Sequence, residues 1–252
     1  VALQLSMIII GLPVFAIHWL WSQRSANGSL EERGGILRRL YLYGMMAGFL
    51  GPLVHNAFYL LRSLFPGNTD INTYVGSERL YGGDAILYYG IAIIILAILL
   101  YYHQRVLMTD GRVIPVADAL TTIRRIYVLG FSAVGLFITS HAVLRLIRGI
   151  MQQIGGIDAI NKWDRVNFGH EIARLLVGVA LWVIFWLWAQ RLFHSPSEEE
   201  HDSTLRKIYL YGIVFLAAID AIAQATSVLA SLIRQLFKLS TSSQDDISGP
   251  LP

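Results

Sequence analysis

Apolar residues in this chain are gathered into six long blocks, and the polar residues into the short stretches between them. A helix needs about 20 mostly apolar residues to cross a hydrocarbon core of roughly 30 Å. Six segments meet or approach that length: Leu3 to Trp21, Leu40 to Leu61, Ala85 to Tyr102, Ile126 to Leu144, Ile172 to Ala189 and Ile208 to Ile233. Backbone N–H and C=O groups find no partners in lipid, so each block is predicted to be helical. The fifth reads as the weakest span, because Arg174 lies in its first turn and has to reach back to the headgroups.

Composition agrees with lipid as the solvent. Only 15% of the 252 residues are charged and 55% are hydrophobic, with a mean hydropathy of +0.53; soluble domains carry roughly 25% charged residues. The net charge of +3 comes from basic residues at the ends of the apolar blocks. No basic run interleaved with aromatics exists, which argues against nucleic acid as a partner. With no cysteine, disulfides and thiolate chemistry are excluded. The first block lacks a basic n-region and a small-residue cleavage site, so it does not read as a signal peptide. The chain begins at Val1, which suggests that N-terminal residues precede it.

A threefold repeat organises these blocks. The first, third and fifth close on Trp21-Ser22-Gln23-Arg24, Tyr102-His103-Gln104-Arg105 and Trp188-Ala189-Gln190-Arg191. After a polar tip, the next helix opens on Arg38-Arg39-Leu40-Tyr41-Leu42-Tyr43-Gly44, Arg124-Arg125-Ile126-Tyr127-Val128-Leu129-Gly130 or Arg206-Lys207-Ile208-Tyr209-Leu210-Tyr211-Gly212. The expected fold class is therefore all-α integral membrane, with six transmembrane helices as three tandem hairpins. The repeats span residues 1–66, 67–152 and 153–238, and 239–252 form a polar tail. That tail cannot build a core of its own and would need a partner subunit to be ordered. The inter-hairpin stretches from Pro66 to Gly83 and Gln152 to Gly169 are expected to be interfacial loops or short helices.

The repeated residues suit anchoring at the membrane surface, where aromatic rings sit among headgroups and guanidiniums reach water. Trp21, Arg24, Arg39, Tyr41, Arg105, Arg125, Tyr127, Trp188, Arg191 and Tyr209 are the expected anchors. The recurring glycine is expected to admit a neighbouring helix, with Gly44 and Gly48 forming a small-xxx-small pair. The tips hold 11 of the 20 Lys and Arg residues. Counted near the helix ends, that bias places the tips in the cytoplasm and both termini outside.

The succession from Leu37 to Gly44 (Leu-Arg-Arg-Leu-Tyr-Leu-Tyr-Gly), with the preceding Gln-Arg and acidic tip, resembles an uncharacterised bacterial family. Its members are multi-pass membrane proteins with tandem two-helix domains of unknown function. The resemblance is best in repeats 1 and 3. Repeat 2 departs, with Leu129 in place of a tyrosine and a longer tip containing Pro115. The resemblance implies a bacterial cytoplasmic membrane protein and no particular activity or cofactor.

Ionisable residues inside the blocks are candidate functional sites, because they are expensive in lipid. Asp220, Gln224 and Ser227 share one face of the sixth block, which suits either a proton or cation pathway or a polar contact with another helix. His55 and His141 each lie 14 residues beyond their repeat's tyrosine, at matched depth. Two such imidazoles could bind haem or a chlorophyll-type pigment, including bacteriochlorophyll, if they converged; otherwise they are structural. His18 and His103 read as interfacial belt residues. His170-Glu171 is not the start of a zinc-protease motif, since Arg174 stands where the second histidine would be needed. No metal site is expected, no cofactor is required, and no nucleophile or paired-carboxylate constellation appears. The leading expectation is a non-enzymatic scaffold or accessory subunit of a larger membrane complex, with electron-transport and photosynthetic complexes as the classes considered.

Overall fold

The structure is a computed structural model that describes residues 2–65, 73–75, 78–80, 82–113, 118–154, 165–193 and 204–236. Its helices are α1 (Ala2–Gly28), α2 (Leu30–Gly34), α3 (Ile36–Ser63), α4 (Gly82–Val113), α5 (Asp118–Ile154), α6 (Arg165–Phe193) and α7 (Thr204–Leu236). Two short strands, β1 (Thr73–Val75) and β2 (Glu78–Leu80), pair antiparallel with Tyr74 opposite Arg79. The expected loop or short helix between the first two repeats thus contains a β-hairpin. The expected tail, residues 239–252, lies outside the described residues, as does most of the second inter-hairpin stretch.

The helices overrun the apolar blocks at both ends. At 1.5 Å per residue, the 32 residues of α4 extend about 48 Å, well beyond a roughly 30 Å hydrocarbon core. The Gln-Arg pairs and the Arg-Arg or Arg-Lys pairs contain neither Gly nor Pro, so nothing in them stops a helix, and the helices run on through them. The tip between α1 and α3 does break the chain. Ser29 caps α2, its Oγ accepting from the Glu32 N–H at 3.4 Å, and Gly35 separates α2 from α3.

Residues 1–201 and 202–252 form two separate compact units. In the first, the most extensive packing is α5 against α6, followed by α3 against α4, and α3 also touches α5 and α6. The closest pairs therefore join helices from successive repeats, whereas the repeat pattern alone suggests pairing within each hairpin. Contacts at the two ends set the directions. Arg38 meets Asp110 and Tyr59 stacks on Tyr89, so α3 and α4 are antiparallel. Tyr127 meets Trp188 while Arg145 meets Glu171, so α5 and α6 are antiparallel too. Phe58 near the end of α3 meets His170 near the start of α6, which makes α3 and α5 parallel.

The α5–α6 crossing depends on two glycines. A Cβ on Gly135 would lie 2.7 Å from the Trp182 Cα, and one on Gly178 would lie 2.8 Å from the Thr139 backbone nitrogen. Backbone thus meets backbone, the geometry that small residues permit between membrane helices. Gly44 and Gly48, expected to play this role, are both exposed with nothing within 4 Å of an added Cβ. The repeat-equivalent Gly130 and Gly212 are open in the same way. The repeated glycine is therefore not what brings the helices of this chain together.

Core side chains are few and the outer faces are apolar. Leu42, Met46, Val128, Ala142 and Ala173 are buried, whereas Ile9, Ile10, Ile17, Leu87, Ile94, Ile98, Phe137, Ile184 and Leu187 are at least half exposed. Among the described residues, α3, α4, α5 and α6 contain segments long and apolar enough to cross a membrane. The least apolar of these four is α3, not the helix that holds Arg174. Arg174 does not stand alone, because Glu171 and His170 are bonded to it.

Candidate functional site

Two ionic clusters stand at opposite ends of the first unit, with aromatic layers between. At the tip end, Arg38 leaves the first turn of α3 and its Nε donates to Asp110 Oδ2 of α4 at 2.8 Å. The two side chains are 9% and 7% exposed. The remaining donors reach α1: Nη1 to Ser22 O at 3.4 Å and Ser22 Oγ at 3.3 Å, and Nη2 to Gln23 Oε1 at 3.2 Å. One guanidinium thereby ties three helices. Beside it, Arg33 donates from Nε to Ala26 O at 2.7 Å and from Nη2 to Asn27 Oδ1 at 2.6 Å, pinning the tip loop to the end of α1.

One helical step on, Arg39 turns the other way. It is 7% exposed, and its Nε and Nη2 are buried without a hydrogen-bond partner. Below it lies an aromatic layer in which Tyr43 meets Tyr127 at 5.1 Å, and Tyr127 meets Phe131, Phe185 and Trp188 at 5.0, 5.7 and 6.3 Å. Arg39 and Tyr127, expected as outward anchors, are packed inside the protein, and Tyr209 is 9% exposed. Arg125 and Trp188 are half-buried. Trp21, Arg24, Tyr41, Arg105 and Arg191 are exposed. Arg105 donates to Tyr101 Oη at 2.7 Å and lies over the same ring.

His103 is 1% exposed, so it is not a belt residue. Its Nδ1–H donates to Leu99 O at 2.8 Å, and its ring lies 5.0 Å from Trp19, 5.1 Å from Phe49 and 5.4 Å from Tyr102. Trp19 Nε1 donates to Tyr102 Oη at 3.0 Å, so α1, α3 and α4 meet around this imidazole.

At the other end, the Glu171 carboxylate is 4% exposed and accepts from Arg174 Nη1 at 3.1 and 3.0 Å, with Arg145 at 3.6 Å. Arg174 Nη2 donates to His170 Nε2 at 2.8 Å. Arg62 and Arg145 also act electrostatically on His170, giving this end an excess of positive charge. Pairing inside the protein lets α6 carry Glu171 and Arg174 within a membrane-length segment. The sequence signal was the spacing of Glu171 and Arg174 on one helix face, but Arg145 and Arg62 come from other helices.

The candidates expected from sequence lie elsewhere. His55 and His141 are exposed, and the ring contacts each makes are with its own helix, Tyr59 at 4.7 Å and Phe137 at 6.2 Å. Asp220 lies on the exposed surface of α7 within its own unit, and the side chains of Gln224 and Ser227 are outside the described residues. Among the described residues no three His, Asp or Glu side chains gather in a way that could hold a metal ion. Both clusters consist of cations that hold anions and carbonyls, which suits cross-bracing and anion recognition.

Long apolar helices with ion pairs turned inward define a helical membrane protein. Within that class, the chain belongs to the family described as Domain of unknown function (DUF5671), which matches residues 1–80 and 125–251. The stretch between the two matches holds α4 and the longer tip of repeat 2. No curated protein and no solved structure matches the chain.

Proposed function

We propose that this protein is a non-enzymatic membrane scaffold that assembles with other membrane subunits. The observation that carries this reading is the outer face of α3, where Gly44, Gly48 and Gly51 are exposed and open. In lipid, where helices gain no hydrophobic energy by associating, close approach at small residues supplies the attraction. The chain uses Gly135 and Gly178 for its own crossing and leaves the α3 face for another helix. Six spans as three hairpins, with α1 and α7 as the first and last, complete this reading. The bacterial cytoplasmic membrane is the proposed location, with the tips on the cytoplasmic side where 11 of the 20 Lys and Arg residues lie.

The test is isolation of the protein from its native membrane in a mild detergent. The wild type is expected to migrate as a complex with a further subunit, and a Gly44→Leu/Gly48→Leu double variant as the lone chain with helicity unchanged. A wild type that isolates as a lone monomer overturns the reading.

A further inference from the structure

Arg39 lies four residues before Tyr43 on α3, and Arg124 lies three residues before Tyr127 on α5, so each arginine shares a helix face with its tyrosine. The two tyrosine rings touch at 5.1 Å, and α3 and α5 run in the same direction. Both arginines therefore fall one turn nearer the tips, at one level. Both charges act on the Tyr43 phenol, as that placement requires. Arg39 is 7% exposed and leaves Nε and Nη2 buried with no hydrogen-bond partner, while the buried tip carboxylate, Asp110, is held by Arg38. Buried guanidinium donors are ordinarily satisfied, and an exception calls for an acceptor.

An anion with several oxygens fits these donors. A planar fork of N–H groups matches phosphate oxygens bidentately, and a second guanidinium at the same level adds charge. The level itself is one turn outside an aromatic layer near the ends of two membrane-length helices, where headgroup phosphates lie. We infer that Arg39 and Arg124 form a binding site for a phosphate group, carried by an anionic phospholipid headgroup or by a small soluble phosphate.

The full chain, purified and delipidated in a neutral detergent, is tested in two arms. Native mass spectrometry reads retention of phosphatidylglycerol against phosphatidylcholine, and thermal unfolding reads the response to inorganic phosphate against chloride at equal ionic strength. The wild type is expected to respond in at least one arm. Selective retention of phosphatidylglycerol alone assigns the site to lipid, a shift with phosphate alone assigns it to a soluble ligand, and both support the site. Arg39→Gln is expected to weaken the positive arm about tenfold, the loss of one charge-assisted contact. Arg124→Gln provides the same comparison through an independent variant, and Arg148→Gln, exposed at the other end of α5, is expected to bind as the wild type does. The inference is overturned if the wild type responds in neither arm, if folded Arg39→Gln or Arg124→Gln binds undiminished, or if Arg148→Gln loses as much.

Discussion

Single residues decide how the first unit is braced. Arg38 and Asp110 are 72 positions apart, yet each is nearly fully buried against the other. Removing one partner of such a pair leaves the other charge buried and alone, which costs about 3–5 kcal/mol. Asp110→Asn is expected to lower stability by that order in denaturant-induced unfolding, while Arg38→Met with Asp110→Leu is expected to regain most of the loss. A double variant as unstable as the single would show that the pair contributes attraction beyond satisfying its own charges. Gly135 and Gly178 are equally sharp. Because a Cβ at either would fall inside the backbone of the facing helix, Gly135→Ala is expected to cost about 1–3 kcal/mol by overpacking. Gly130→Ala, which has open space around it inside α5, is expected to be neutral or to stabilise by up to about 1 kcal/mol in the same unfolding experiment, since Ala is the better helix former.

Helices were legible to different depths. The six long helices fall on the six apolar blocks, because an apolar block in lipid has no alternative to helix. The short α2 in the first tip was not expected, and among the described residues four helices are apolar enough to span a membrane. The helix ends did not follow. The blocks mark only the apolar part of each helix, while α4 and α5 continue through their arginines well past it. The β1–β2 hairpin was not legible at all, since its strands are three residues each and show no alternation long enough to read. The anchoring motif was legible as a repeat but not as a set of positions. Arg39 and Arg24 look alike in sequence, yet one is buried and the other exposed, and only neighbouring helices make that difference. On α7, Asp220 is exposed on its own unit. Asp220→Asn is accordingly expected to leave proton flux into liposomes unchanged; a loss of flux would favour a transport pathway instead.

At the scale of the molecule, residues 1–201 are a compact unit in themselves, and all six tryptophans fall within them. A chain ending at His201 is therefore expected to keep the native tryptophan emission maximum in detergent. A shift towards that of the denatured chain would show that α7 is needed to fold the rest. Pigment or haem binding through His55 and His141 requires both imidazoles to reach one ring, and each is exposed with ring contacts on its own helix. The purified protein is expected to show no Soret or red absorption band, and a band that disappears in His55→Ala/His141→Ala would reverse that expectation.

The six apolar blocks and the threefold signature determined by themselves that the chain is helical and suited to lipid, because hydrocarbon length and backbone satisfaction act on each segment alone. Which helices touch was decided only in three dimensions. The glycine that recurs in every repeat faces open space, whereas Gly135 and Gly178, which each lack a counterpart in at least one repeat, bring α5 and α6 backbone to backbone. Arg38 and Arg39 are neighbours in a repeated motif, but about 100° of helix rotation sends one to a carboxylate on α4 and buries the other with its Nε and Nη2 unpaired. A local motif carries no record of what stands opposite it, and packing partners are a property of the whole fold.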